Sequence, residues 1–295
     1  MAAAQEEFLH ATFDKTVTLG TEKATLKGKF LFCWPYVWEE STNWDVIHKA
    51  TETVTNWART CFPQESVSLQ LVRSSVIFSY NSCPSYWRQK PEEPSIYAKL
   101  ILYSKAMHLL FQIDDTSEAE VEPARNFIDL FHDCAMDLKV NFGVTKELGQ
   151  YFARSAAYCF IMQTWCDDKD QTFLLNLYTQ YHLRIFPGGT NSMEELIFLL
   201  QRIYVPASVR TQIRSGIDAI KFTGFLTVRT NDVIATEKEW QDKVRIGTRV
   251  DNIVFHYMEA TNYSFEEAVS RAITEHNFAL KEFYDFFEYF KINQD

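Results

Sequence analysis

FQIDDTSEAE, Phe111 to Glu120, leaves an apolar run and enters four acids. Carboxylates crowded at the end of an apolar helix repel one another and lose hydration unless a cation sits among them. The residues before them, IYAKLILYSKAMHLL from Ile96 to Leu110, predict a helix running from Ile96 to about Asp115. Positions four apart share a helix face, so Asp114 and Glu118 point the same way if the helix persists, with Asp115 beside them. Hard oxygen donors of this kind suit Mg2+, which keeps some waters and often takes further ligands from phosphate. An acidic helix end on a solvated surface gives the same pattern, so this stretch alone does not decide the chemistry.

A second stretch adds weight. TNDVIATEKEW, Thr230 to Trp240, also follows a largely apolar helical segment, TQIRSGIDAIKFTGFLTVR. Asn231, Ala235 and Glu239 fall at i, i+4 and i+8, one face of two helical turns, and Lys238 adjoins the glutamate. Thr236 stands next to Ala235 but is turned about 100° away on a helix. Two such acidic ends facing each other across a cavity mouth could hold several Mg2+ ions against a diphosphate.

Composition narrows the class. Over 295 residues, 46% are hydrophobic and only 9 Gly and 8 Pro interrupt the chain, which indicates long regular elements and a sizeable core. A net charge of -10 with no dense basic run argues against nucleic-acid binding. The six cysteines lack a CxxC pair and sit in apolar company, as reduced buried thiols do. MAAAQEEFLH has neither the basic region nor the apolar core of a secretory signal, and no run reaches membrane-spanning length. The expectation is a cytoplasmic protein, monomer or homodimer, without membrane insertion.

Along the chain, TVTLGTEKATLKGKFLFC (16–33) alternates in places and reads as extended or loop-like. Helical periodicity follows. Ser41 and Thr42 can cap a helix whose apolar face is Trp44, Ile47, Ala50, Val54, Trp57 and Cys61, stopped by Pro63. The segment 66–81 fits helix or strand. Further helices are expected at about 122–139, 146–166, 170–185, 192–203, 207–239 and 264–291. The predicted architecture is all-α: one helical-bundle domain over 41–295, with 1–40 an N-terminal extension packing on it.

DDTSE (Asp114–Glu118) resembles the DDxx(D/E) motif of class I terpene synthases, and NDVIATEKE (Asn231–Glu239) their NDxx(S/T)xx(K/R)E motif. YTQYHLRIFPGGT (Tyr178–Thr190) is similar to the helix-break segment of microbial members, and DNIVFHYMEATNYSFEEAV (Asp251–Val269) to the segment after their second motif. The resemblance spans roughly residues 100–270. It implies a class I terpenoid synthase bundle around an apolar cavity, with three Mg2+ ions (or Mn2+) held by Asp114, Asp115, Glu118, Asn231 and Glu239. Ala235 occupies the position of the usual Ser/Thr ligand. The resemblance also implies that Arg184 senses the diphosphate, Gly188 offers a backbone carbonyl and Lys238 helps bind the leaving group. No counterpart of the late-helix Arg-Tyr pair of many microbial members is found.

The implied reaction is ionisation of a linear isoprenoid diphosphate, farnesyl diphosphate by the family's habits, giving a sesquiterpene. Phe78, Trp87, Phe111, Phe160, Phe225 and Tyr257 are candidate pocket walls, each also explicable as ordinary core. Two alternatives remain. A catalytically impaired relative that binds prenyl ligands would suit Ala235. A chain-elongating prenyltransferase would need a second DDxxD motif and early basic residues, whereas DDTSEAEVEP stays acidic until Arg125.

Overall fold

The alternation over 16–33 becomes the turn, the second strand and the end of the first strand of a hairpin. The computed structural model describes residues 9–32, 42–63, 67–117, 124–150, 152–154, 156, 190–203, 218–246 and 252–292. In it, β1 (Leu9–Leu19) and β2 (Glu22–Phe32) pair antiparallel from Leu19↔Glu22 to Leu9↔Phe32. Gly20, at φ +68°, supplies the positive φ that a two-residue hairpin turn requires. The described residues are mostly helical, consistent with an all-α fold, with this one two-stranded hairpin added because β-branched and aromatic residues at alternate positions give it one apolar face.

The described residues fall into two compact units. The first joins the hairpin to the helices after Asp218, and the second contains the helices from Trp44 to Phe142 with Thr190–Leu200. By packing, then, the hairpin belongs with the C-terminal helices.

In the second unit Asn43, not Ser41 or Thr42, caps α1 (Trp44–Cys61): its Oδ1 accepts the amide of Val46 at 3.1 Å. Asn is among the strongest N-caps and stands immediately before the first helical residue. The ambiguous 66–81 segment is α2 (Leu69–Ser82), started by Ser68, whose hydroxyl accepts from the Leu71 amide. A short α3 (Ser85–Gln89) leads to α4 (Pro94–Ser117), followed by α5 (Ala124–Phe142) and α6 (Thr190–Leu200).

α4 is apolar nearly all round, as a central helix must be. Leu100 joins Ile47, Val54, Val72 and Val76, whereas Leu102, Ala106 and Leu109 pack with Phe127, Phe131 and Leu196. Cys61, Cys83 and Cys134 are free thiols, the last two buried. Burial pushes both of those thiols up to about 12.

In the first unit the expected helix 207–239 is described as two: α7 (Asp218–Ile234) and α8 (Thr236–Ile246), with a bend at Ala235. α9 (Ile253–Thr261) ends at Asn262 in the left-handed region, φ 56°. Ser264 and Glu267 then form a capping box for α10 (Phe265–Ile292), each side chain accepting the other's backbone amide hydrogen.

The inner hairpin face, Val17, Leu19, Leu26 and Phe30, packs with Ile253, Val254, Phe265, Val269 and Ile273. Both sheet edges are engaged by helix side chains. Asn277 accepts from the Leu31 amide at 2.8 Å and donates to the Lys29 carbonyl at 2.9 Å. Glu237 accepts from the Thr18 amide and pairs with Lys15. Main-chain groups that would otherwise stand open at the edges are thus satisfied.

Among the described residues, no helix is long and apolar enough to cross a membrane.

Candidate functional site

Asp114 and Asp115 lie near the C-terminal end of α4, whose last turn contains no basic residue. That is the costly end for a carboxylate, because the helix dipole leaves partial negative charge on the terminal carbonyls. One turn earlier, Phe111 meets Phe78 of α2 edge to face, with ring centroids 5.8 Å apart. Phe78 is 43% exposed, so this aromatic pair is open and not sealed in the core.

Farther back, His108 is fully buried against the rings of Trp57 and Phe62. Neither of its ring nitrogens has a hydrogen-bond partner in the described structure. Burial pulls its pKa down to about 4, so the ring is neutral.

The second motif is built around the bend at Ala235. The backbone column through Asn231, Ala235 and Glu239 is continuous: Ala235 donates to the Asn231 carbonyl at 2.7 Å, and Glu239 to the Ala235 carbonyl at 3.0 Å. The adjacent column differs. The Asp232 carbonyl accepts the Thr236 hydroxyl at 2.9 Å and the Asn252 side-chain amide at 2.7 Å. Side-chain donors entering a helix ladder are a recognised cause of bends. The bend therefore arises beside this column and leaves its two backbone hydrogen bonds in place.

Around this bend the buried polar groups are hydrogen-bonded. Thr236 is buried, and its hydroxyl also reaches the Val233 carbonyl at 2.6 Å. The Asp232 carboxylate, also buried, accepts the Ile253 amide at 3.0 Å at the start of α9. Glu239, half-buried, accepts the Asn252 amide through Oε2 at 2.7 Å. Asn231 and Lys238 are exposed, and Ala235 is half-buried.

These donors fit a hard cation. Asn231 and Glu239 offer oxygen on either side of the bend, and a ligating carboxylate ordinarily has an outer hydrogen-bond donor such as Asn252. α7, like α4, has no basic residue in its last turn. Among the described residues no three His, Cys, Asp or Glu side chains form a metal-ligating group, and Asn231 is not of those types.

Other candidates are placed differently. Trp87 is buried, with Lys99 above its ring at 5.9 Å. Tyr257 is buried between α9 and α10 and donates to Glu275 Oε2 at 2.5 Å. Burial first, with the Glu275 carboxylate, pushes its phenol well above the ordinary value, against the opposing Arg229. The same carboxylate receives Arg229 Nη2 at 3.2 Å and Arg271 Nε at 2.8 Å. Phe225 lies within α7. Glu118, Phe160, Arg184 and Gly188 lie outside the described residues.

Asp232 and Asn252 are the site residues that spacing did not single out. The only sequence signal was their place: one inside the second motif, the other opening the segment that follows it. No protein-family model matches the chain, and no curated protein matches it.

Proposed function

We propose that this chain is a Mg2+-dependent terpene synthase acting on a linear isoprenoid diphosphate, farnesyl diphosphate first and geranyl diphosphate next. The observation that carries this reading is the pair of oxygen-bearing motifs, one ending the largely apolar α4 and the other running from the last turn of α7 into the first turn of α8. The aspartates at the end of α4 are opposed by the backbone dipole and call for a bound cation, whereas Glu239, in the first turn of α8, is favoured by the dipole there.

Asp114, Asp115, Glu118, Asn231 and Glu239 would hold the ions; Lys238 and Arg184 would meet the diphosphate. Bound Mg2+ stabilises the negative charge that develops on the departing diphosphate. Phe111, one turn from the aspartates, and Phe78 against it would present aromatic rings to the allylic cation.

One observation favours a second reading, an impaired relative that binds prenyl diphosphates without turning them over. Ala235 brings no oxygen to the motif's middle position, and the neighbouring Thr236 hydroxyl is spent on the helix.

Incubation with geranyl, farnesyl and geranylgeranyl diphosphates, with Mg2+ or with EDTA, decides between them. Mg2+-dependent hydrocarbon and diphosphate release supports the synthase. Binding without release of either supports the impaired relative.

A further inference from the structure

We propose that Asn252 is a positioning residue for the second motif, presenting the Glu239 carboxylate and setting the bend that carries it. The inference rests on reading Glu239 as a cation ligand.

Asn252 is fully buried, and its amide is committed on every side. Nδ2 donates to Glu239 Oε2 at 2.7 Å and to the Asp232 carbonyl at 2.7 Å, while Oδ1 accepts the Val254 amide at 2.8 Å. The chemistry allows one orientation of this amide, since a carboxylate and a carbonyl need donors and an N–H needs an acceptor. One planar group therefore ties together three things: the first turn of α9, the opened carbonyl at the bend, and one oxygen of the motif's glutamate. Glu239 lies beyond the bend from Asn231. Any cation bound by both would depend on how that bend and that carboxylate are held, and Asn252 touches each.

An aspartate could not replace it without setting a second carboxylate against Glu239. A serine could still cap α9 but has no amide to offer. Outer-shell partners of ligating carboxylates commonly change metal affinity about 10- to 100-fold when lost.

The test measures Mn2+ binding by electron paramagnetic resonance in the presence of inorganic diphosphate. It compares wild type, Asn252→Ser, Asn252→Asp, Glu239→Gln and the Asn252→Ser/Glu239→Gln double variant, with folding checked by circular dichroism. Asn252→Ser is expected to weaken Mn2+ about tenfold, and Asn252→Asp at least as much. In the Glu239→Gln background the serine substitution should add less than about a twofold loss, because the group it positions has already lost its charge.

Equal losses in both backgrounds, or a lowered melting temperature with unchanged Mn2+ binding, would overturn the proposal and leave Asn252 a purely structural cap. If Asn252→Ser does not fold, the comparison rests on Asn252→Asp, where undiminished Mn2+ binding overturns it equally. A wild type that binds Mn2+ and diphosphate but turns over no isoprenoid diphosphate rejects the synthase reading while the Asn252 result stands. A wild type that binds no Mn2+ overturns both.

Discussion

Gly28 of β2 lies directly against Ile273 of α10: a methyl group on Gly28 would come within 2.2 Å of the isoleucine Cδ1. It would also meet the Phe13 ring at 2.9 Å. The missing side chain is what lets the helix approach the hairpin. Gly28→Ala should destabilise the protein by about 1–3 kcal/mol, the usual cost of overpacking. Ile273→Val, which removes the clashing carbon, should recover part of that loss. Denaturant melts of the two single variants and the double variant measure the coupling.

Asp114 and Asp115 give a sign test for a catalytic role. An acid near a helix C-terminus opposes the dipole, so Asp114→Asn or Asp115→Asn should leave metal-free stability unchanged or raise it by about 0.3–1 kcal/mol. Diphosphate release should fall at least about 100-fold, as for loss of a preorganised charge-stabilising group. Thermal melts with EDTA, beside a diphosphate-release assay, read both quantities. A loss of stability together with retained turnover would place these acids in the scaffold.

Ala235→Ser restores an oxygen to the middle of the Asn231–Ala235–Glu239 column. Because that column keeps its backbone bonds through the bend, the new hydroxyl should sit between the two existing donors. The Mg2+ concentration for half-maximal diphosphate release should fall severalfold, and a Mg2+ titration of activity measures it.

His108 makes stability pH-dependent. Its folded pKa, about 4, lies below the ordinary value of 6.5 because burial disfavours the charged ring. The unfolded chain therefore binds a proton more readily between those values. Stability is fully present above pH 6.5 and is lost as pH falls toward 4, amounting to about 2 kcal/mol at pH 5. His108→Leu should flatten this part of the profile, which urea denaturation at pH 7 and pH 5 would detect.

Glu275 is the anion for Arg229, whose side chain is only 5% exposed. Truncating one partner of such a pair leaves the buried charge less well compensated. Glu275→Ala should cost about 3 kcal/mol. Tyr257→Phe, which removes one hydrogen bond to the same carboxylate, should cost about 1–2 kcal/mol. Chemical denaturation of both variants checks the ranking.

Much of the helical layout was legible because it depends on neighbours in sequence. The apolar run from Ile96, the stop at Pro63 and the two acidic stretches are all local patterns. The start and end of α4 and α10 fall within a few residues of their predicted bounds. By contrast, 66–81 could not be assigned by pattern, since β-branched apolar residues suit both a strand and a buried helix. Packing of Val72, Val76 and Tyr80 against α1 and α4 supplies the missing term. The single helix expected through Glu239 failed for a similar reason: nothing between residues 207 and 239 announces a bend whose cause includes Asn252.

The sequence by itself determined where the candidate oxygen donors fall, Asp114 and Glu118 four residues apart and Asn231 and Glu239 eight apart. Helical periodicity also put Asn231, Ala235 and Glu239 on one face. Only the tertiary structure decided what holds them. The amide of Asn252 reaches Asp232, 20 residues away, and Asn277 closes the edge of a strand 246 residues earlier. A buried polar group must find a partner, and which partner it finds depends on the elements that approach it in space.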